Sequence, residues 1–218
     1  MYYIESISLG VVSLKLEKIT VLLLLLILSV FTGPLRAEEG VGIARGNPLQ
    51  CVSASSRDIA ITVHYLDRSE RIELVGKSNN PFLDWGGTPL TVFKITVEYT
   101  PVAMKFFPDT IELIVAGASR GTFPEFYIAQ YWDYKLRSYS GNFWGHRRRY
   151  GGWSSGGVNY NLRKYMLRNH SKVKPGKEFV KLVVFEGILP LGERVELVLP
   201  VYDSTGTLIH PFRFVYEG

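Results

Sequence analysis

The sharpest chemical pattern in the chain is Gly152-Trp153-Ser154-Ser155-Gly156, a formal G-x-S-x-G match. Serine in that pattern becomes a nucleophile when it stands on a tight turn between a strand and a helix, lifted toward a histidine. Here the preceding residues read "HRRRY" rather than an apolar strand. His170 and His210 do follow, but in a chain too short and too rich in β pattern for an α/β-hydrolase sheet. A serine hydrolase using Ser154 is the alternative reading, and no catalytic residue is assigned. The histidines His64, His146, His170 and His210 stand in unrelated contexts, with no i, i+4 pair and no thiolate partner, so neither a metal nor a cofactor is expected. Asp58 and Asp67 build no dense loop of oxygen ligands. Cys51, the single cysteine, has no internal disulfide partner, which suits a bacterial envelope protein better than a small disulfide-stapled module.

Charge is distributed unevenly. Between Gln130 and Lys177 there are eleven Lys or Arg and one acid, Asp133, although the whole chain carries only +5. The remainder is therefore net acidic. Ten aromatic residues share this window, and "GHRRRYGGWSSGGVNY", residues 145–160, concentrates both types among five glycines. Arginine forks clamp phosphate or carboxylate, and aromatic faces stack on sugars or bases. The candidate binding residues are Trp144, Arg147, Arg148, Arg149, Tyr150, Trp153, Arg163 and Lys164. The partner expected from this chemistry is an envelope polymer, an anionic lipid surface or a protein, and not nucleic acid, because no nucleic-acid module surrounds the patch. The plainer alternative is that the aromatics cap a core while the arginines form its solvated rim.

Stepping outward along the chain, "ITVLLLLLILSVF" from Ile19 to Phe31 is thirteen residues of nearly unbroken apolar sequence behind Lys15 and Lys18. As a helix it spans about 20 Å, short of the roughly 30 Å hydrocarbon core of a bilayer. Residues 1–37 therefore read as an export signal, cleaved after Ala37 or kept as a short anchor. The expected location is extracytoplasmic, in the periplasm or cell envelope. Cys51 lies twenty residues past the apolar run, too far for lipid attachment.

Residues 38–56 carry Gly, Ser, Asn and Pro with little periodicity and read as a linker. From Arg57 the period is two. "IAITVHYL" places Ile59, Ile61, Val63 and Tyr65 on one face, and "TVFKITVEY" places Phe93, Ile95, Val97 and Tyr99 opposite Lys94, Thr96 and Glu98. "TIELIVA", "FVKLVVF", "RVELVLPVY" and "HPFRFVY" are further strands, the last two joined as a hairpin through Asp203-Ser204-Thr205-Gly206. Between residues 127 and 172 the period changes. Tyr127, Ile128, Tyr131 and Trp132, then Leu162, Tyr165 and Met166, recur at helical spacing, so two short amphipathic helices are expected to cross from one sheet to the other and cap an open end.

The succession "VFKITVEYTP", "MKFFPDTIELIVAG", a helical crossover, "VKPGKEFVKLVVFEGILP" and "VELVLPVYDSTG", closing in "FRFVYE", resembles the immunoglobulin-like domains of unknown function found in bacterial envelope proteins and lipoproteins. The resemblance runs from about Ile59 to Glu217. It implies an all-β, immunoglobulin-like antiparallel β-sandwich of six to eight strands over residues 57–218, with a helical, glycine-rich insertion between strands. It implies no catalytic residue, because fold does not fix function. The expectation is a non-enzymatic exported domain with a structural or interaction role.

Overall fold

A computed structural model of the chain describes residues 41–45, 51–83, 89–140, 154–169, 171–190 and 192–217. The expected signal segment, residues 1–37, lies outside them. All described residues belong to one unit, Glu39–Gly218. Along the chain the elements are β1 (Val41–Arg45), β2 (Cys51–Ser56), β3 (Ile59–Tyr65), α1 (Arg68–Val75), β4 (Leu90–Tyr99) and β5 (Met104–Phe106). A 3-10 turn (Pro108–Thr110) leads to β6 (Glu112–Val115), β7 (Ala118–Gly121), α2 (Glu125–Ser140) and α3 (Ser155–Tyr165). The chain finishes with β8 (Ser171–Val173), β9 (Phe179–Glu186), β10 (Val195–Asp203) and β11 (Leu208–Glu217).

The strands form two mostly antiparallel sheets, as a β-sandwich requires. One has four strands in the order β2-β3-β4-β9, and the other has seven, with β1-β11-β10-β5-β8 as its path and β6 joining β10 to β7. Eleven strands among the described residues exceed the six to eight expected. Two of the extra strands fall in the segment read as a linker. There, β1 runs parallel to β11, pairing Val41 with Arg213, and β2 pairs Cys51 with His64 and Ser56 with Ile59. In "CVSASS" the inward positions are Val52, Ala54 and Ser56, all buried. Small inward residues carry too little hydrophobicity to announce a strand.

The hairpin forms as expected, with Leu197 opposite Phe214 and Leu199 opposite Phe212. Asp203 Oδ1 ties the turn by accepting from the backbone N–H groups of Thr205, Gly206 and Thr207 at 2.8–2.9 Å. Leu197, Leu199, Phe212 and Phe214 share one core with Phe93 and Ile95 of the facing sheet. Tyr99 continues that alternation in the sequence but is exposed at the strand end.

A second core lies on the outer face of the four-stranded sheet. Val92, Leu182 and Val184 point away from the sandwich and pack with Ile128 of α2 and Val158 and Leu162 of α3. The helices therefore cover a sheet face rather than cap an open end. The reason is visible in the strands: Leu90 and Val92 of β4 and Leu182 and Val184 of β9 are apolar in the phase opposite to Phe93, Val183 and Phe185, so both faces of these strands must be buried there. Nor does the helical segment itself cross between sheets, because β7 before it and β8 after it both belong to the seven-stranded sheet. The crossing comes between β8 and β9.

Helix α1 was not expected. Its capping box is nonetheless written as Asp67-x-x-Glu70, the Asp67 carboxylate accepting from Glu70 N at 2.8 Å and Glu70 Oε2 from Asp67 N at 2.9 Å. Buried Arg71 holds the following loop by donating to the carbonyls of Phe82 (2.8 Å) and Leu90 (3.3 Å). Asn80, fully buried, donates to the Arg71 and Gly76 carbonyls, each at 2.8 Å. These bonds satisfy polar groups that would otherwise be costly beneath the helical layer.

Candidate binding site on the helical layer

Helix α3 buries Val158 and Leu162 at i, i+4 spacing and turns Tyr160, Arg163 and Lys164 outward. Ser154 starts it, its Oγ accepting from Gly157 N at 3.0 Å. The serine of the G-x-S-x-G match is thus a helix N-cap, a role serine fills for its own chemistry. Among the described residues no histidine bonds to it. His64 Nε2 lies 3.2 Å from Glu70 Oε1, and the His210 ring packs edge-on against Phe212. His146 and His170 lie outside the described residues.

Gly157 has a steric reason to be glycine. A Cβ there would stand 2.5 Å from the Asn79 side chain, whose Oδ1 accepts from Ser154 N. Asn79 also accepts from Asn161 Nδ2 through its backbone carbonyl at 2.8 Å. The glycine lets the start of α3 seat against the loop after α1.

Of the eight candidate residues, Trp144, Arg147, Arg148, Arg149, Tyr150 and Trp153 lie outside the described residues. Arg163 and Lys164 sit side by side in the last turn of α3, where positive charge complements the helix dipole. Lys164 Nζ stands 4.7 Å from the Tyr165 ring centroid. Contact with Tyr165 raises the tendency of this lysine to stay protonated. The same helical layer exposes Phe126, Tyr127 and Tyr134 from α2 and Tyr160 from α3, Phe126 at 67%. Lys135 caps the Tyr131 ring at 4.9 Å.

A cleft of about 700 Å³ opens at the edge of β9. Its walls are the start of α2 and the residues that follow α3, and Phe123 N and Leu167 N bond the β9 carbonyls of Val184 and Leu182 at 2.6 and 2.8 Å. Arg163, Arg168 and Lys181 line it, together with the carboxylates of Asp109 and Glu125. Arg168 Nε contacts Glu125 Oε2 at 2.5 Å. Lys181 Nζ donates to the Lys164 carbonyl at 2.5 Å. Burial, and then the charge of Arg168, lower the pKa of Lys181. Phe126 stands between this cleft and a smaller groove of about 360 Å³ between α2 and α3, where Ser155 Oγ donates to Asp133 Oδ1 at 3.0 Å.

No family model, curated protein or solved structure matches the chain.

Arg168 and Lys181 were not among the candidates, yet Lys181 had a signal. In "FVKLVVF" it occupies the phase of Phe179, Val183 and Phe185, which packs inward, and a charge in that phase marks an edge or an opening. The structure also brings Cys51 opposite His64 on neighbouring strands, a pairing that sequence distance concealed. Partial burial raises the Cys51 pKa, with Lys94 opposing, so the thiol is not activated as a nucleophile. Among the described residues no group of three or more His, Cys, Asp or Glu is placed to hold a metal ion.

Proposed function

We propose that this chain is an exported, non-enzymatic binding domain of the cell envelope, built as an immunoglobulin-like sandwich that presents its helical layer to an anionic envelope polymer. The observation that carries this reading is the collection of Phe126, Tyr127, Tyr134 and Tyr160, all exposed, on the same two helices as exposed Arg163 and Lys164. A solvated rim needs no such aromatic surface. Large exposed aromatics beside cations supply stacking faces and charge-assisted donors together. Between α2 and α3 in the sequence, the stretch at 145–153 carries Arg147, Arg148 and Arg149. The N-capping role of Ser154 supports leaving the hydrolase reading aside.

The test is retention of the chain on immobilised anionic polymer across increasing salt, with anionic vesicles as a parallel surface. Replacing Arg147, Arg148 and Arg149 with Ser removes three contacts of about 1.5 to 3 kcal/mol each if all are made, so retention on the polymer should fall by orders of magnitude. Wild-type retention should also weaken with salt. Equal retention of the two proteins, or indifference to salt, would refute the reading, and retention on vesicles alone would reassign the surface to lipid.

A further inference from the structure

The cleft at the edge of β9 has three cations in its lining and an unusual electrostatic arrangement. Among the described residues Arg163 makes no hydrogen bond or ion pair, and Lys181 Nζ has one partner, the neutral carbonyl of Lys164. Of the two lining carboxylates, Glu125 is taken by Arg168, while Asp109 is exposed. Lys181 is half-buried and bears the repulsion of Arg168 without a carboxylate to offset it. Like charges held together in a partly desolvated cleft favour an anion that enters between them. Thr122, Asn169 and Ser171 add polar groups to the lining, while half-buried Phe123 and exposed Pro124 and Phe126 bring apolar surface to the same space. At about 700 Å³ the cleft falls in the size range of small-molecule sites.

We infer that this cleft binds a small amphiphilic acid, its phosphate or carboxylate held by Lys181 and Arg163 and its apolar stem laid against Phe123, Pro124 and Phe126. Arg168 is oriented by Glu125 and holds the rim. The inference uses none of Arg147, Arg148 and Arg149 and, although it shares Arg163 with the polymer reading, stands without it. The lysine lies on a strand and the arginine on a helix, so both are presented from regular elements.

The test uses the full chain and four probes: octyl phosphate, octanoate, inorganic phosphate and 1-octanol. Calorimetric titration should show octyl phosphate or octanoate binding at least about tenfold more tightly than the bare head or the bare stem, a tenfold step being about one charge-assisted contact. Whichever amphiphile binds better identifies the head group. Lys181→Gln and Arg163→Gln should each weaken that amphiphile by about tenfold or more, with Lys181→Arg retaining most of the affinity. In the wild type the Lys181 amine, followed by NMR, should titrate at higher pH once the amphiphile is bound. Arg163 is exposed, so its variant folds even if the Lys181 variant does not. Binding unchanged in Arg163→Gln, or octanol binding as tightly as the amphiphiles, overturns the inference. The Arg147, Arg148, Arg149 triple variant should bind the amphiphile like wild type, and Lys181→Gln should be retained on polymer like wild type, which separates the failure of either reading from the other.

Discussion

The two faces of the four-stranded sheet are buried in different ways. On the inner face Phe93 and Ile95 meet another sheet, whose Leu197, Leu199, Phe212 and Phe214 alternate with period two. On the outer face Val92, Leu182 and Val184 meet helices, while the β2 and β3 side of that face is polar, with Ser53 Oγ and Thr62 Oγ1 2.6 Å apart and Thr62 bonded to Glu98. One sheet therefore reads as alternating over β2 and β3, whereas β4 and β9 carry apolar residues in both phases where they lie beneath the helices. The difference teaches that an apolar residue in the supposedly wet phase of a strand reports a third layer.

If the inner core is the larger and tighter of the two, truncation there should cost more. Phe93→Ala and Phe214→Ala should each lose about 3 to 5 kcal/mol in denaturant titration, whereas Leu162→Ala beneath α3 should lose about 2 to 3 kcal/mol and expose the helical layer to protease first. Equal losses with no change in local proteolysis would make the two cores a single cooperative unit. Gly157→Ala sharpens the comparison at the helical side. Alanine gains up to about 1 kcal/mol of helix propensity, but its methyl meets the Asn79 side chain, and overpacking costs about 1 to 3 kcal/mol. Net destabilisation of about 1 kcal/mol is expected, and a stabilised variant would show that the docking of α3 on Asn79 is loose.

The smallest effect concerns acid. The Asp67 carboxyl is held below its ordinary 3.8, first by the Glu70 backbone N–H and then by Ser69. A carboxyl depressed in the folded state contributes stability above its unfolded pKa and loses it as pH falls through the folded one. Asp67→Asn still caps α1, so it should change neutral stability little and flatten the acid limb below about pH 4. Asp203, lowered by its bonds to Thr205 and Thr207, accounts for a further part of that limb in the hairpin. An unchanged acid limb in both Asn variants would place the acid sensitivity elsewhere.

The inner core was legible because its residues obey period two over long stretches: β3, β4, β10 and β11 are where the sequence placed strands, and the hairpin turn carries its own Asp and Gly. What stayed hidden was hidden for separate reasons. Strand β2 uses Ala54 and Ser56 as inward residues, and α1 has a mean hydropathy too low to advertise a buried side, since it buries Arg71. Of the site, the exposed cations of α3 were legible from composition. The cleft was not, because Lys181 and Arg163 are brought together only by the packing of α3 against β9.

The parallel pairing of β1 with β11 sets the order in which the protein can be completed. Val41 and Arg213 are about 170 residues apart in the chain. Closing so long a loop adds little to the equilibrium cost, because loop entropy grows only with the logarithm of length. It matters for kinetics, since pairings distant in sequence slow the search. During synthesis β1 waits without its mate until β11 emerges. A polypeptide wired in this way can assemble its four-stranded sheet before its larger one, which stays incomplete until β11 is made.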